Sequence, residues 1–175
     1  MSRGPEPTPH TAAWESTTLR DPHAVPDKAD RVRRMFAAIA ESYDLNNRVH
    51  SLWRDQAWRR AAVAMSHVRS VDTVLDVACG TGDLSLAYAN AGAKQVIGLD
   101  FTHEMLQVAE FKSSSRKAKH ASRITYADGD AMRLPVPDRS VDIVSIAFGI
   151  RNVADPARAI REFHRVLKPG GRVMI

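Results

Sequence analysis

Gly80 and Gly82 stand one residue apart in LDVACGTGDLSLA (75–87), directly after an apolar run. Asp100 ends the run QVIGLD roughly 20 residues later, the spacing at which a carboxylate accepts ribose hydroxyls. Glycines so placed can take positive φ and let a ligand approach the backbone without meeting a Cβ. A dinucleotide site would put a third glycine where Ser85 stands and would rest a diphosphate on the N-terminus of the next helix. Asp83 holds that position instead. Its carboxylate suits the helix dipole but repels a diphosphate, so the loop is a poor diphosphate cradle and a better host for a positively charged ligand. Asp130 and Ala131 fall in the loop after the third expected strand, where an adenine ring can lie. Asp130 can accept the exocyclic amine or simply face water. A nucleoside with a cationic, unphosphorylated tail describes S-adenosylmethionine, whose sulfonium makes its methyl group electrophilic without a metal. Rate then comes from holding nucleophile, methyl carbon and sulfur in line.

The elements that must position these residues alternate along the chain. Thr73–Val77, Gln95–Leu99, Arg123–Tyr126, Val141–Ala147 and a run from Arg172 read as short buried strands. Helices are expected over 83–91, 103–117 and 155–167. The last has Asp155 as cap, Pro156 in its first turn, and Ile160, Phe163 and Leu167 as its buried stripe. Alternation of this kind predicts an α/β fold, a doubly wound and mainly parallel sheet with right-handed crossovers. Ahead of it, 28–70 reads as a helical cap. Val32, Met35, Phe36 and Ile39 form one helical stripe; Trp58, Ala61, Ala62 and Met65 form another, and Tyr43–Asn47 is a polar turn between them. Trp53 and Trp58 are read as core of the cap. Residues 1–27, rich in proline, read as a disordered tail, and 71–175 as the cofactor-binding core with its last strands missing.

The chain has 175 residues, a net charge of +5 and one cysteine. That length suits one domain, and a lone cysteine fits a reducing cytoplasm. No secretory leader is expected, and no apolar run reaches the ~20 residues needed to cross a bilayer. Arginines crowd the region before the first strand, and Lys112–Arg123 is a second basic run. Both read as solvated helix faces or as contacts to anionic headgroups, and no nucleic-acid signature accompanies them. Cys79 is read as a packing residue rather than a nucleophile. His103, His120 and His164 lack partners at metal-ligand spacing, so no metal is expected.

VLDVACGTGD, Asp100, ADGDAMRLPVPDRSVDIV and VLKPGG resemble class I S-adenosylmethionine-dependent methyltransferases. YDLNNRVHSLWRDQAWRR (43–60), FGIRNV (148–153) and HRVLKPGGRV (164–173) are similar to the C-methyltransferases of menaquinone and ubiquinone biosynthesis, from about Lys28 to Ile175. The resemblance implies cofactor contacts at Thr81, Asp100, Asp130 and Ala131, with Gly80, Gly82 and Asp76 in the same motif. Ala147 stands where some relatives offer a serine. Asp55, where some members have histidine, leans toward the menaquinone branch. The family pattern continues past Ile175, which makes turnover by this chain an open expectation.

The implied reaction adds a methyl group to a ring carbon of a reduced polyprenyl quinone, demethylmenaquinol or the corresponding benzoquinol. That carbon becomes nucleophilic when a ring hydroxyl of pKa ~10 is deprotonated. Arg151 stays protonated, so its expected role is to stabilise the phenolate or orient a water, with Asn152 holding the ring or the loop. Tyr43 and Asp44 are expected to close over the site, Asp44 as a base or as part of a cap that merely orders a turn. The Val32–Ile39 stripe either packs on the domain or forms a lipid-facing mouth. The expected setting is the cytoplasm, peripheral to an anionic membrane, without nucleic acid and with a homodimer left open. Competing readings are methylation of another small molecule, an NAD-dependent oxidoreductase, and a shortened chain that binds cofactor without turnover.

Overall fold

A computed structural model describes residues 28–115 and 119–175; the expected tail over 1–27 lies outside the described residues. Three helices come first: α1 (Lys28–Ile39), α2 (Tyr43–His50) and α3 (Asp55–Met65). The alternating part follows as β1 (Thr73–Val77), α4 (Asp83–Asn90), β2 (Gln95–Asp100), α5 (His103–Ser114), β3 (Ile124–Asp128), β4 (Val141–Ser145), α6 (Pro156–Val166) and β5 (Leu167–Met174). All neighbouring strands pair in parallel, in the order β3-β2-β1-β4-β5. The expected α/β class and parallel sheet are therefore present. Strand order reverses between β1 and β4, and a crevice at their carboxyl ends is the place such sheets offer a ligand.

Period-two alternation divides the core between the two faces of the sheet. Val74, Val96 and Ile143 pack with Leu84, Tyr88 and Val63 from α4 and α3. Leu75, Val77 and Val144 pack with Ala159, Phe163 and Val166 of α6 on the other side. Below the crevice, Asp72 anchors the lower end of the sheet. Its buried carboxylate accepts from Arg69 Nη2 at 2.8 Å and Arg172 Nη2 at 2.6 Å, which holds its pKa low against burial.

Several expectations are corrected. Tyr43–Asn47 is helical, as the start of α2. Its inward residues, Tyr43 and Asn47, line a cavity rather than an apolar core, so no hydrophobic period marked it. On α3 the inward residues are Asp55 and Val63, with Arg59 paired to Asp55 at 2.5 Å. Trp58 and Met65 are exposed, as is Trp53; an ion pair took the place of the expected apolar stripe. On α6, Asp155 does cap, accepting from the Arg158 N–H at 2.9 Å. The buried stripe, however, is Ala159–Phe163–Val166, and Ile160 is half exposed. The strand begins at Leu167, so Lys168–Gly171 lies within β5 rather than before it. Along the first helix, Val32, Phe36 and Ile39 are partly buried while Met35 is exposed. Among the described residues no helix is long and apolar enough to cross a membrane.

The two readings of α6 separate in a stability measurement. Phe163→Ala is expected to cost about 3–5 kcal/mol, the range for a buried aromatic. Ile160→Ala is expected to cost less than about 1 kcal/mol, as for an exposed position. Urea unfolding of both variants checks the assignment.

Candidate functional site

The loop after β1 turns sharply three times. Ala78, Gly80 and Gly82 all have positive φ, of 52°, 56° and 78°. Ala78 comes within reach of the loop after β4, where a Cβ on Gly149 would stand 2.5 Å from the Ala78 methyl. Glycine at 149 is therefore what lets the two loops close on each other. The ring of Tyr43 stands over Gly80, 4.0 Å from where a Cβ would be. These loops enclose a cavity of about 390 Å³ at the carboxyl ends of β1, β2 and β4.

Two buried carboxylates form its floor. Asp100 accepts the Gly80 N–H at 2.8 Å and the Thr102 N–H at 2.9 Å. Each oxygen keeps a further lone pair for a ligand hydroxyl. Burial raises its pKa, against those two N–H groups. Asp76 is fully enclosed, and Ser85 Oγ donates to its Oδ2 at 2.6 Å. Burial pushes Asp76 up to about 7, with the Ser85 hydrogen bond and the Arg59 charge working against the rise and Asp100 adding to it. The residue in place of a third glycine thus holds a buried carboxyl in position. Cys79 lies alongside, and burial together with Asp76 and Asp100 drives its thiol well above the ordinary range. Such a thiol is inert packing.

Asp83 is engaged from three sides. Burial would raise its pKa, but Lys112, Arg59 and Gln56 together bring it below the usual carboxylate range. Lys112 Nζ donates to it directly, Gln56 Nε2 at 3.0 Å, and Arg59 Nη1 lies at 3.9 Å. Its two cations are shared with Asp44 and Asp55, three carboxylates to two cations, so one net negative charge remains beside the loop and still disfavours a diphosphate. Sequence reasoning placed Lys112 in a solvated basic run. Its side chain is only 21% exposed and reaches three partners: Asp83, Asp44 Oδ2 at 2.6 Å and Thr81 Oγ1 at 3.3 Å. Thr81 in turn donates to Asp44 Oδ1 at 2.5 Å.

Tyr43, Asp76, Gly80, Thr81, Asp100, Asp130, Ala131, Ala147, Arg151 and Asn152 all line the cavity. Gly82 sits just behind it, where it makes room for Tyr126. Asp44 is the exception. It does not line the cavity; its oxygens accept from Lys112 and from Thr81, which does, so it ties α2 to the glycine loop. Asp130 is exposed, with Oδ1 accepting the Met132 N–H at 2.8 Å and Oδ2 left for a ligand. Arg151 makes no ion pair among the described residues. Its guanidinium lies over the Phe148 ring, 5.7 Å from the centroid, which holds the charge in place without neutralising it. Lys28 Nζ, at the start of α1, donates to the Val153 carbonyl at 3.1 Å and fastens this loop to the helices.

The residues fit a nucleoside that carries a cation. A glycine loop free of Cβ atoms, a strand-end carboxylate with spare lone pairs and a second buried carboxyl meet its ribose and its charge. Comparison with known proteins agrees. The ubiE/COQ5 methyltransferase family model matches residues 25–175. The demethylmenaquinone methyltransferase of Deinococcus radiodurans is 45% identical over 150 residues, covering 85% of this chain and 61% of that protein. The ubiquinone/menaquinone biosynthesis C-methyltransferase UbiE of Geobacter sp. strain M21 is 41% identical over 155 residues, covering 87% and 65% respectively. The chain therefore spans somewhat under two thirds of these relatives' length. Among solved structures, the YcgJ protein of Bacillus subtilis matches with a TM-score of 0.61 at 30% identity, covering 66% of this chain and 47% of that one.

The tie between α2 and α5 is measurable. A double-mutant cycle with Lys112→Met and Asp44→Asn is expected to give a coupling of about 0.5–3 kcal/mol in denaturant unfolding. Independent effects would mean that the two side chains do not hold each other in solution.

Proposed function

The chain belongs to the ubiE/COQ5 methyltransferase family, and from that premise we propose that it methylates a ring carbon of a reduced polyprenyl quinone, converting demethylmenaquinol to menaquinol. The observation that carries this reading is one cavity that joins two buried carboxylates to an unneutralised guanidinium. S-adenosylmethionine supplies an electrophilic methyl group when bound. Asp100 accepts the ribose hydroxyls, Asp130 and Ala131 border the adenine, and Asp76 answers positive charge on the tail. Thr81, held by Asp44 and Lys112, fixes the loop between them. On the acceptor side, Arg151 stabilises the phenolate of the quinol ring, and its charge favours loss of the hydroxyl proton to water. Asn152 holds the ring or the loop, and buried Met105, partly buried Phe36 and the half-exposed Met35 and Phe148 line the cavity with apolar surface. The corresponding benzoquinol is the second reading, supported by the name of the Geobacter relative. Because a polyprenyl quinol resides in a bilayer, the same reading places the protein in the cytoplasm against a membrane surface.

Arg151→Ala is expected to lower turnover by about 10²–10³-fold while leaving affinity for the methyl donor within about twofold. Labelled-methyl transfer and calorimetry measure the two separately, and unchanged turnover removes Arg151 from the chemistry.

Asp76 gives a pH test. Its folded-state pKa is raised from 3.8 to about 7. The unligated fold therefore holds the associated stability in full below pH 3.8 and loses it as pH rises through about 7. A cation bound beside Asp76 favours the ionised form, so donor affinity is expected to rise between roughly pH 6 and 8. Asp76→Asn is expected to flatten that rise, and an unchanged slope in the variant would assign it to another group.

A further inference from the structure

The turn joining α2 to α3, Ser51–Arg54, contains two consecutive non-glycine residues in the left-handed region. Leu52 has φ 51° and Trp53 has φ 62°. Large side chains avoid this conformation because the Cβ crowds the backbone, and it persists only where the surroundings enforce it. Here hydrogen bonds enforce it: the Trp53 N–H donates to the Arg48 carbonyl at 2.8 Å, and the Arg54 N–H to the Ser51 carbonyl at 3.0 Å. The strain gains no burial, since Leu52 is 77% and Trp53 63% exposed. On α2, Leu45 and Val49 are one turn apart on one face and are exposed as well. A rigid turn and the helix before it thus hold four apolar side chains out toward solvent.

From Leu45 to Arg54 the charged side chains are both arginines, with exposed Glu41 one turn before Leu45. Arg48 and Arg54 flank the turn and make no ion pair among the described residues. The two acidic residues bordering this stretch are already engaged, Asp44 by Lys112 and Asp55 by Arg59. We propose that this turn is an anchor for an anionic bilayer surface: Leu52 and Trp53 enter the boundary between headgroups and acyl chains, Leu45 and Val49 follow, and Arg48 and Arg54 stay at the phosphates. This deepens the reading above, on which the quinol substrate comes from a membrane, and it moves the contact from the α1 stripe to the α2–α3 turn.

The test is flotation, with tryptophan emission, on vesicles of phosphatidylcholine alone and of phosphatidylcholine with about 30% phosphatidylglycerol. The parent chain is expected to float with the anionic vesicles and to shift its emission to the blue. Trp53→Gly suits the left-handed backbone, so its melting temperature is expected to stay level or rise while membrane partitioning falls about tenfold or more. Arg48→Gln with Arg54→Gln is expected to remove the preference for anionic lipid. The proposal is overturned if Trp53→Gly partitions like the parent, or if the parent ignores anionic vesicles. It is also overturned if Trp53→Gly merely turns a dimer into a monomer in sedimentation without loss of vesicle binding. Methyl transfer to a short-chain, water-soluble quinol without vesicles separates the two readings. Vesicle binding through Trp53 without any methyl transfer overturns the reaction and leaves the anchor, and methyl transfer without vesicle binding does the reverse.

Discussion

The geometry of the site follows from two carboxylates that the sheet holds out of water at the ends of adjacent strands. β1 and β2 pair with Asp76 level with Gly98, so Asp76 and Asp100 enter one crevice from neighbouring strands. Neither has a salt-bridged cation among the described residues. Their partners are a hydroxyl and two backbone N–H groups. Burying negative charge on such terms is costly, and the raised pKa of each reflects that cost. The loop is bound to the same constraint, because the Gly80 N–H that fixes its path is one of the donors to Asp100. A ligand with positive charge relieves the cost and a diphosphate adds to it.

The contrast with Asp83 and Asp44 sharpens the point. These lie beside the same loop, yet each is paired with Lys112 or Arg59 from within the fold. The protein thus carries two classes of acid around one loop. One class is satisfied by the chain itself and joins α2, α4 and α5 into a frame. The other is left with uncharged partners and faces the cavity. Lys112 and Arg59 are shared among Asp44, Asp55 and Asp83, so the first class keeps one net negative charge beside the loop and adds to the field of the second.

Where an element is held by apolar burial or by turn chemistry, its residues announced it. The sheet, the glycine turns, Asp100 and the Asp155 cap were all legible for that reason. The helices ahead of the sheet were legible only in outline, because their inward faces carry Tyr43, Asn47, Asp55 and Arg59 in place of a hydrophobic stripe. The error at α6 has another cause. Ile160 and Phe163 both fit a helical period, and only the position of Ala159 against the sheet decides which residue faces inward. Lys112 was hidden because its partners lie 29 and 68 residues away along the chain, and one-dimensional spacing carries no signal of that pairing. Ser85 did leave a mark, as a departure from the third-glycine pattern. Its meaning needed the distance to Asp76.

In the proposed reaction the two ends of the cavity carry opposite tasks that cancel. The donor brings positive charge to the carboxylates, and the acceptor brings negative charge to Arg151. Forming the ring carbon–methyl bond as the methyl–sulfur bond breaks leaves both partners neutral at the reacting atoms, and the quinol is restored when the ring C–H proton leaves to water and the ring oxygen regains one. Charge separation is therefore greatest in the reactants and falls toward the transition state. Once the phenolate has formed, contacts to either charged reactant stabilise the starting state at least as much as the transition state, so the part of the rate that Arg151 controls lies in forming the phenolate. The rest of the acceleration comes from alignment, and from an apolar wall whose low polarity favours a step that destroys charge. This accounts for the way Arg151 is held. Seated on the Phe148 ring rather than in a carboxylate pair, it keeps enough charge to form the phenolate without gripping it in a full ion pair that the transfer would have to break.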